Sequence, residues 1–382
     1  MDNIAGTKSS LTWAVHISVV LLVGLWLFPT VGLLISSFRT SDQIATSGWW
    51  KAMFPSEQNL TLRADAPEMQ VQEGDLYVIE GNLFETGSEA TISVYGISSN
   101  AYDAFVAGEQ GELRDGGTIM VSTDGHYRMT STEPFTGSRG QRIFVTATTP
   151  PEFTLRNYQN VLFDPGNSEG MAKAFFNTLT VTIPATIIPI VIAAFAAYAL
   201  AWMEFPGRAL LIAAIVGLLV VPLQLALIPL LKFHNDIGIG KGYLGAWMAH
   251  TGFGLPLAIY LLRNYMVGLP RDIIENAKVD GATDFQIFVK IILPLSFPAL
   301  ASFAIFQFLW TWNDLLVALV FLIDSTGETT VMTKQIVELL GTRGGNWEIL
   351  ATSAFVSIAV PLLVFFAMQK YLVRGLLAGS VK

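Results

Sequence analysis

RDIIENAKVDGATDFQIFVKIILPLSFP, residues 271–298, decides how this chain is read. It is a polar, charged stretch of loop length between long apolar runs. Glu275, Lys278, Asp280 and Asp284 surround one glycine, Gly281. Ala282, Phe285, Phe288 and Ile292 then recur at helical spacing, which predicts one apolar helix face, and Pro294 is expected to stop it. A loop that only joins two spans needs none of this chemistry. An acidic turn, a glycine bend and an apolar face predict a docking surface for a soluble partner.

The flanking sequence makes that loop part of a membrane protein. Windows free of Asp, Glu, Lys and Arg cover 9–38, 174–203, 209–231, 242–262, 291–313 and 349–369. A helix crosses a bilayer with roughly 20 apolar residues, and every window is long enough. Six transmembrane helices are therefore expected: one within 1–38, then about 174–203, 209–231, 244–262, 299–322 and 349–369. The fifth is expected to run past Asp314 to about Leu322. The apolar run from 11 to 38 far exceeds the roughly 7–15 residues of a signal-peptide core, so it is read as an uncleaved span. Composition agrees: 52% of residues are hydrophobic and 14% charged, against about 25% charged in soluble proteins.

Six spans put both termini on one side. That side displays Lys8, Arg208, Arg263, Arg271, Lys278, Lys290, Lys370, Arg374 and Lys382, while the opposite short loops carry Lys232, Lys241, Lys334 and Arg343. The excess of basic residues in short inner loops assigns the termini and the 263–297 loop to the cytoplasm. Residues 39–172 then form an extracytoplasmic loop with 18 acidic and 8 basic residues. Short β-branched and aromatic runs inside it (Leu76-Tyr77-Val78-Ile79, Thr91-Ile92-Ser93-Val94-Tyr95, Thr118-Ile119-Met120-Val121, Ile143-Phe144-Val145-Thr146) alternate with glycine turns. They predict an antiparallel β-domain of five or six strands over about 60–150, a compact sandwich. Asp124-Gly125, between Val121 and Tyr127, is its clearest hairpin. The fold class is thus an all-α polytopic membrane protein with a β-rich extracytoplasmic insertion between helices 1 and 2, followed by a multi-span helical core over 173–382.

Several chemistries are excluded by inventory. There is no cysteine, hence no disulfide and no thiolate metal site. No phosphate-binding G-x-x-x-x-G-K-[S/T] occurs. His16, His126, His234 and His250 are scattered without metal-ligand spacing. The net charge of −8 argues against nucleic acid as a partner. Asp314 is the one carboxylate placed inside a span, where ionisable groups usually face the bundle interior or a cavity. Trp312, Asn313 and Asp314 are candidates to meet a polar solute inside the bundle by stacking and hydrogen bonding, and Gln224 is a second candidate. The competing reading is that Asn313 and Asp314 only join helices, or that Asp314 sits near the outer interface.

The loop resembles the permease subunits of binding-protein-dependent ABC importers. Their motif runs E-A-A, three residues, G, nine residues, I-x-L-P, and Glu275, Ala277, Gly281, Ile291, Leu293 and Pro294 fall on it. Asn276 departs from it, standing where the first alanine would be. Asp280-Gly281-Ala282 and Phe288 match the carbohydrate branch. Further likenesses are Phe153–Tyr158, Asn177-Thr178-Leu179, Ala196–Leu200, Pro222, Gln224, Ile228-Pro229, Trp312-Asn313-Asp314 and the tail from Leu372 to Lys382. The tail is similar to that of the second permease subunit of maltose-type importers, and the insertion looks like that of α-glucoside permeases.

The resemblance implies a mechanism. The loop would fold as helix, bend and helix in a cleft of a cytoplasmic ABC ATPase. Glu275 and Asp280 would accept hydrogen bonds there, Gly281 would make the bend, and Ala282, Phe285 and Phe288 would anchor it. Arg374, Gly375, Gly379 and Lys382 of the tail would also touch the ATPase. It implies as partners a homologous second permease, two ATPase copies, an extracytoplasmic solute-binding protein and membrane lipid. ATP and Mg would sit on the ATPase, with no cofactor on this chain and no enzymatic activity of its own. The setting implied is a bacterial inner membrane and the cargo a carbohydrate, held mainly by the other permease in maltose-type systems. Two other classes stay open on the residues alone. A stand-alone secondary transporter is opposed by the absence of a visible inverted repeat. A membrane receptor with a sensing β-domain leaves the later spans without a purpose.

Overall fold

The computed structural model describes residues 10–85, 87–113, 116–163, 170–322, 326–342 and 345–377. They form two compact units, one of residues up to Asn157 with Asn346–Thr352, the other of Tyr158–Gly345 with Ser353–Lys382.

The first unit begins with α1 (Ser10–Ser37), whose apolar window is only 6% buried within the chain. A helix apolar on all sides and uncovered by protein suits a lipid surround. A short α2 (Ser41–Thr46) follows, held by the buried Arg39, which donates to the Gln43 and Ser47 carbonyls at 2.7 and 3.0 Å. Asn157 donates to the Ser37 and Arg39 carbonyls at 2.9 and 2.8 Å and so ties the chain beyond the β-domain to the end of α1.

The β-domain contains β1 (Ser56–Arg63), β2 (Val71–Glu73), β3 (Leu76–Asn82), β4 (Thr91–Gly96), β5 (Phe105–Val106), β6 (Gln110–Glu112), β7 (Thr118–Val121), β8 (His126–Ser131) and β9 (Arg142–Thr149). Two antiparallel sheets, β1-β9-β4-β5 and β2-β3-β8-β7-β6, enclose its core. The expected five or six strands are thus nine among the described residues. β2, β5 and β6 have three residues or fewer, and β1 reads SEQNLTLR, too polar to register as an apolar run. The Asp124-Gly125 hairpin forms as expected: Val121 pairs with Tyr127, and Gly125 takes φ +84°.

Two buried tyrosines cross-link the sheets. The Tyr95 hydroxyl donates to the Glu109 and Ile119 carbonyls at 2.6 and 3.0 Å. The Tyr127 hydroxyl donates to the Asp65 carboxylate at 2.8 Å and accepts the Asp65 N–H at 2.7 Å. Burial, foremost, pushes the Tyr127 phenol up to about 12. A folded-state pKa above the ordinary value gives stability that is intact below pH ~10 and lost as pH rises through the folded value. The 295-nm absorbance of the wild type minus that of Tyr127→Phe is therefore expected to titrate near pH 12. A difference midpoint near 10 would refute the burial argument.

The second unit is helical: α3 (Arg156–Phe163) leads into it, then come α4 (Met171–Trp202), α5 (Arg208–Leu218), α6 (Leu223–Asp236) and α7 (Tyr243–Val267). The 271–298 stretch supplies α8 (Arg271–Val279), α9 (Asp284–Ile287), a π-helical turn (Phe288–Ile292) and α10 (Leu293–Leu295). α11 (Phe297–Trp312), α12 (Leu316–Phe321), α13 (Met332–Thr342) and, from Ser353 on, α14 (Trp347–Leu377) complete it. α4 packs on α7 and α11 through small residues, Ala193, Ala194 and Ala197 on one helix and Ala246, Ala249 and Ala258 on another. Small side chains let helix backbones approach closely where lipid gives no hydrophobic drive.

By length and composition, three described helices can cross a membrane: α1, α4 and α14 up to Tyr371. Two bent pairs raise that to five if each counts as one span, and α7 is long enough but carries Trp247, His250, Thr251 and Asn264. Two expected spans are therefore not single helices. The 209–231 window breaks by 109° between α5 and α6, where Pro222 has no N–H to continue the ladder and pushes Val221 out of helical geometry. The 299–322 window breaks at Asn313–Leu315, because Asp314 turns back to cap α12, accepting the Val317 N–H at 2.8 Å. Pro294 does not end its helix either. It sits in the first turn of α10, and the 69° bend falls beyond it, before Phe297. Lacking an N–H, Pro294 can satisfy neither the Val289 nor the Lys290 carbonyl, and the helix widens into the π turn just ahead of it. Pro298 opens α11, as expected.

Candidate functional site

The 271–298 stretch resolves into two helices around one turn. α8 ends in a Schellman motif: the Gly281 N–H meets the Lys278 carbonyl and the Ala282 N–H meets the Ala277 carbonyl, both at 3.0 Å. Gly281 takes the left-handed conformation that this ending requires, φ +81°. Ala277 and Ala282 are the apolar pair that such a motif brings together, and both pack on the helical core. α9 then starts from a capping box: Gln286 N–H donates to the Thr283 hydroxyl at 3.3 Å, and Thr283 N–H to the Gln286 side chain at 2.9 Å. This T-x-x-Q pattern is present in the sequence and went unused in reading it. Asp284 closes the assembly between Lys278 at 3.5 Å and the Tyr198 hydroxyl at 3.3 Å.

The expected site residues divide by environment. Glu275, Asp280 and Pro294 are exposed, and among the described residues neither Glu275 nor Asp280 makes an ion pair. Phe285 is 65% exposed, and Val279, which lies outside the Ala282–Ile292 series and gives no signal in its spacing, is 87% exposed. Ile291 and Leu293 are half-buried. Phe288 contradicts its expected role as an outward anchor. It is 3% exposed, with its ring 4.7 Å from that of Phe195 and 5.3 Å from that of Tyr198 on α4. The single apolar face expected from spacing does not form: Ala282 precedes α9, and the buried face is Ile287, Phe288 and Ile292.

The intramembrane candidates separate as well. Trp312 is 1% exposed, donates to the Ser357 carbonyl at 2.9 Å, and lies between the rings of Phe175 and Phe308. It is sealed in helix packing and has no face free to stack on a sugar. Asn313 is exposed and its amide donates to the Leu309 carbonyl at 2.8 Å, closing the end of α11. Asp314 stands 4.0 Å from His250 and caps α12, as above. Gln224 is exposed in the first turn of α6, beyond the break. Arg374 and Gly375 lie in the last turns of α14, while Gly379 and Lys382 fall outside the described residues.

Two polar joints were not foreseen. Gln307 of α11 donates to the Ala185 carbonyl of α4 at 3.1 Å and the His250 carbonyl of α7 at 3.3 Å, pinning three helices at one point. Asn177 donates to the Glu328 and Thr330 carbonyls at 2.7 and 2.9 Å and accepts from Tyr243 at 2.8 Å, and the neighbouring Thr178 accepts the Met332 N–H. An amide or hydroxyl inside an apolar run was the only signal for either.

The model of the family described as "Binding-protein-dependent transport system inner membrane component" matches residues 174–377. The chain belongs to this family. In this permease family the match begins within α4 and ends with α14, so it contains the 271–298 turn and leaves α1 and the β-domain outside. The alpha-glucoside transport system permease protein AglG of Rhizobium meliloti is 62% identical over 380 residues, covering 98% of this chain and 98% of that protein. The osmoprotective compounds uptake permease protein GgtD of Synechocystis is 58% identical over 231 residues, 60% of this chain and 76% of that protein. Among solved structures, a bacterial ABC transporter involved in the import of the acidic polysaccharide alginate has a TM-score of 0.48 at 24% identity, over 59% of this chain and 81% of that one.

Proposed function

We propose that this chain is a membrane-spanning permease subunit that admits an α-glucoside, delivered by an extracytoplasmic binding protein and driven by a separate ATPase. The observation that carries the substrate is the 62% identity to an α-glucoside permease along nearly the whole of both chains, β-domain included. α7 counts as a sixth crossing on this reading, which places both termini and the 271–298 turn in the cytoplasm by the basic-residue excess. ATP and Mg belong to two copies of the ATPase, and a homologous permease completes the pathway.

The turn between α8 and α9 is suited to transmit motion to that ATPase. Its exposed side chains, Glu275, Asp280, Val279 and Phe285, offer two acceptors and two apolar contacts on a backbone fixed by the Schellman motif and the capping box. A charge-assisted hydrogen bond shielded from water contributes about 1.5–3 kcal/mol. The test is uptake into proteoliposomes holding this chain with its partner permease, ATPase and binding protein. Labelled maltose is expected to enter only with ATP and to be displaced by other α-glucosides but not by cellobiose. Uptake by this chain alone, driven by an ion gradient, would overturn the assignment.

A further inference from the structure

We propose that the β-domain carries a ligand site of its own, a cleft between its two sheets that takes an anionic saccharide. The cleft has a volume of about 610 Å³, within the roughly 300–1,000 Å³ of small-molecule sites. Arg63, Arg139 and Arg142 line it. Residues 39–172 have only 8 basic residues against 18 acidic ones, yet three of the eight meet at this cavity.

The arginines are placed against their own electrostatics. Arg63 and Arg142 are direct register partners across β1 and β9, and like charges set opposite one another on a sheet are destabilising. Among the described residues none of the three makes an ion pair. Two carboxylates also line the cleft, Asp65 and Glu133. Asp65 is already engaged by the Tyr127 hydroxyl at 2.8 Å, and Glu133 is an exposed loop residue. Three arginines against these two carboxylates still leave the cleft with one positive charge for a ligand to neutralise.

The rim is rigid where the arginines stand. Arg63 donates to the Gly140 carbonyl at 3.0 Å, which aims its guanidinium. Gly140 lies so close to the Ala64 carbonyl that a Cβ there would come within 1.8 Å of it. A guanidinium held in this way can grip a carboxylate or phosphate with two parallel N–H donors. The other walls suit a sugar ring. Ser98 and Gln141 give hydrogen-bonding groups for hydroxyls, with the buried Phe144, packed on Tyr102, behind them.

The test uses the full-length chain in nanodiscs of neutral lipid, titrated calorimetrically with a glucuronate-bearing disaccharide, with maltose and with inorganic phosphate. Saturable binding of the uronate is expected, weakened about tenfold or more by Arg142→Gln. Arg139→Gln is the second variant. It lies in the loop before β9 and pairs with no strand, so it tests the charge without risk to the sheet, and it is expected to weaken the uronate by a smaller factor. Maltose bound on the proposed transport route would ignore both substitutions, so failure of that reading and failure of this one are distinguishable. Absence of uronate binding, or affinity unchanged in both variants, would overturn the proposal. Phosphate binding as tightly as the uronate would overturn its saccharide part.

Discussion

Phe288→Ala is expected to unfold the end of the helical unit that holds the 271–298 turn, whereas Phe285→Ala, three residues away, leaves the fold intact and loosens the proposed grip on an ATPase. Phe288 is buried between Phe195, Tyr198, Ile287 and Ile292. Truncating a buried Phe to Ala costs about 3–5 kcal/mol, because the cavity adds to the lost contacts. The melting temperature and the yield of folded protein should both fall. Phe285 has no such partners and is 65% exposed, so its loss should leave the melting temperature in place. If the ATPase covers it, about 1.5–3 kcal/mol of burial disappears, roughly a tenfold or greater loss of affinity. Thermal scanning in detergent, paired with co-purification of the ATPase, separates the two effects. Equal destabilisation by both variants would show that Phe285 packs inside as well, and unchanged recovery of the ATPase with Phe285→Ala would remove it from the docking surface.

That pair also marks how far the sequence could be read. Gly281 as the bend was legible, because only a residue at ease with positive φ ends α8 in this way. The face of the following helix was not. Spacing reports which residues align, but not which side of them is covered, and the π turn at 288–292 shifts the register in mid-series. The long spans were legible from charge-free windows, and the breaks within them were missed for a common reason. Pro222 sits inside a window that stays free of charge, and the apolar run resumes beyond Asp314, so hydropathy passes over the residue that ends each helix. Trp312 failed differently. An aromatic beside two polar residues suggests a sugar platform, but its indole N–H finds the Ser357 carbonyl, a contact from a helix more than forty residues later. In the β-domain, alternation revealed the longer strands. The arginine cleft was invisible, because Arg63 and Arg142 become neighbours only once β1 and β9 are in register.

The second large effect belongs to Gly281. Gly281→Val is expected to abolish most ATP-driven uptake while the chain still inserts and folds. Nothing lies within 4 Å of a Cβ built at this position, so bulk is no obstacle and the penalty is conformational. A β-branched residue held at φ +81° is strained by about 1–3 kcal/mol. The turn can relieve that strain only by giving up the Gly281–Lys278 and Ala282–Ala277 hydrogen bonds, which fix the angle between α8 and α9. The core on either side, with Ile274 and Ile287 buried, holds each helix in place, so the change should stay local and re-aim Asp280 and Phe285. Gly281→Asn discriminates conformation from size. Asparagine is larger than valine in polar reach but tolerates the left-handed region, so it should keep much of the uptake that valine loses. Uptake and ATPase co-purification measured for glycine, asparagine and valine should fall in that order. Equal loss with Asn and Val would point to a steric clash with the docked partner, and full activity with Val would mean that the bend carries no coupling.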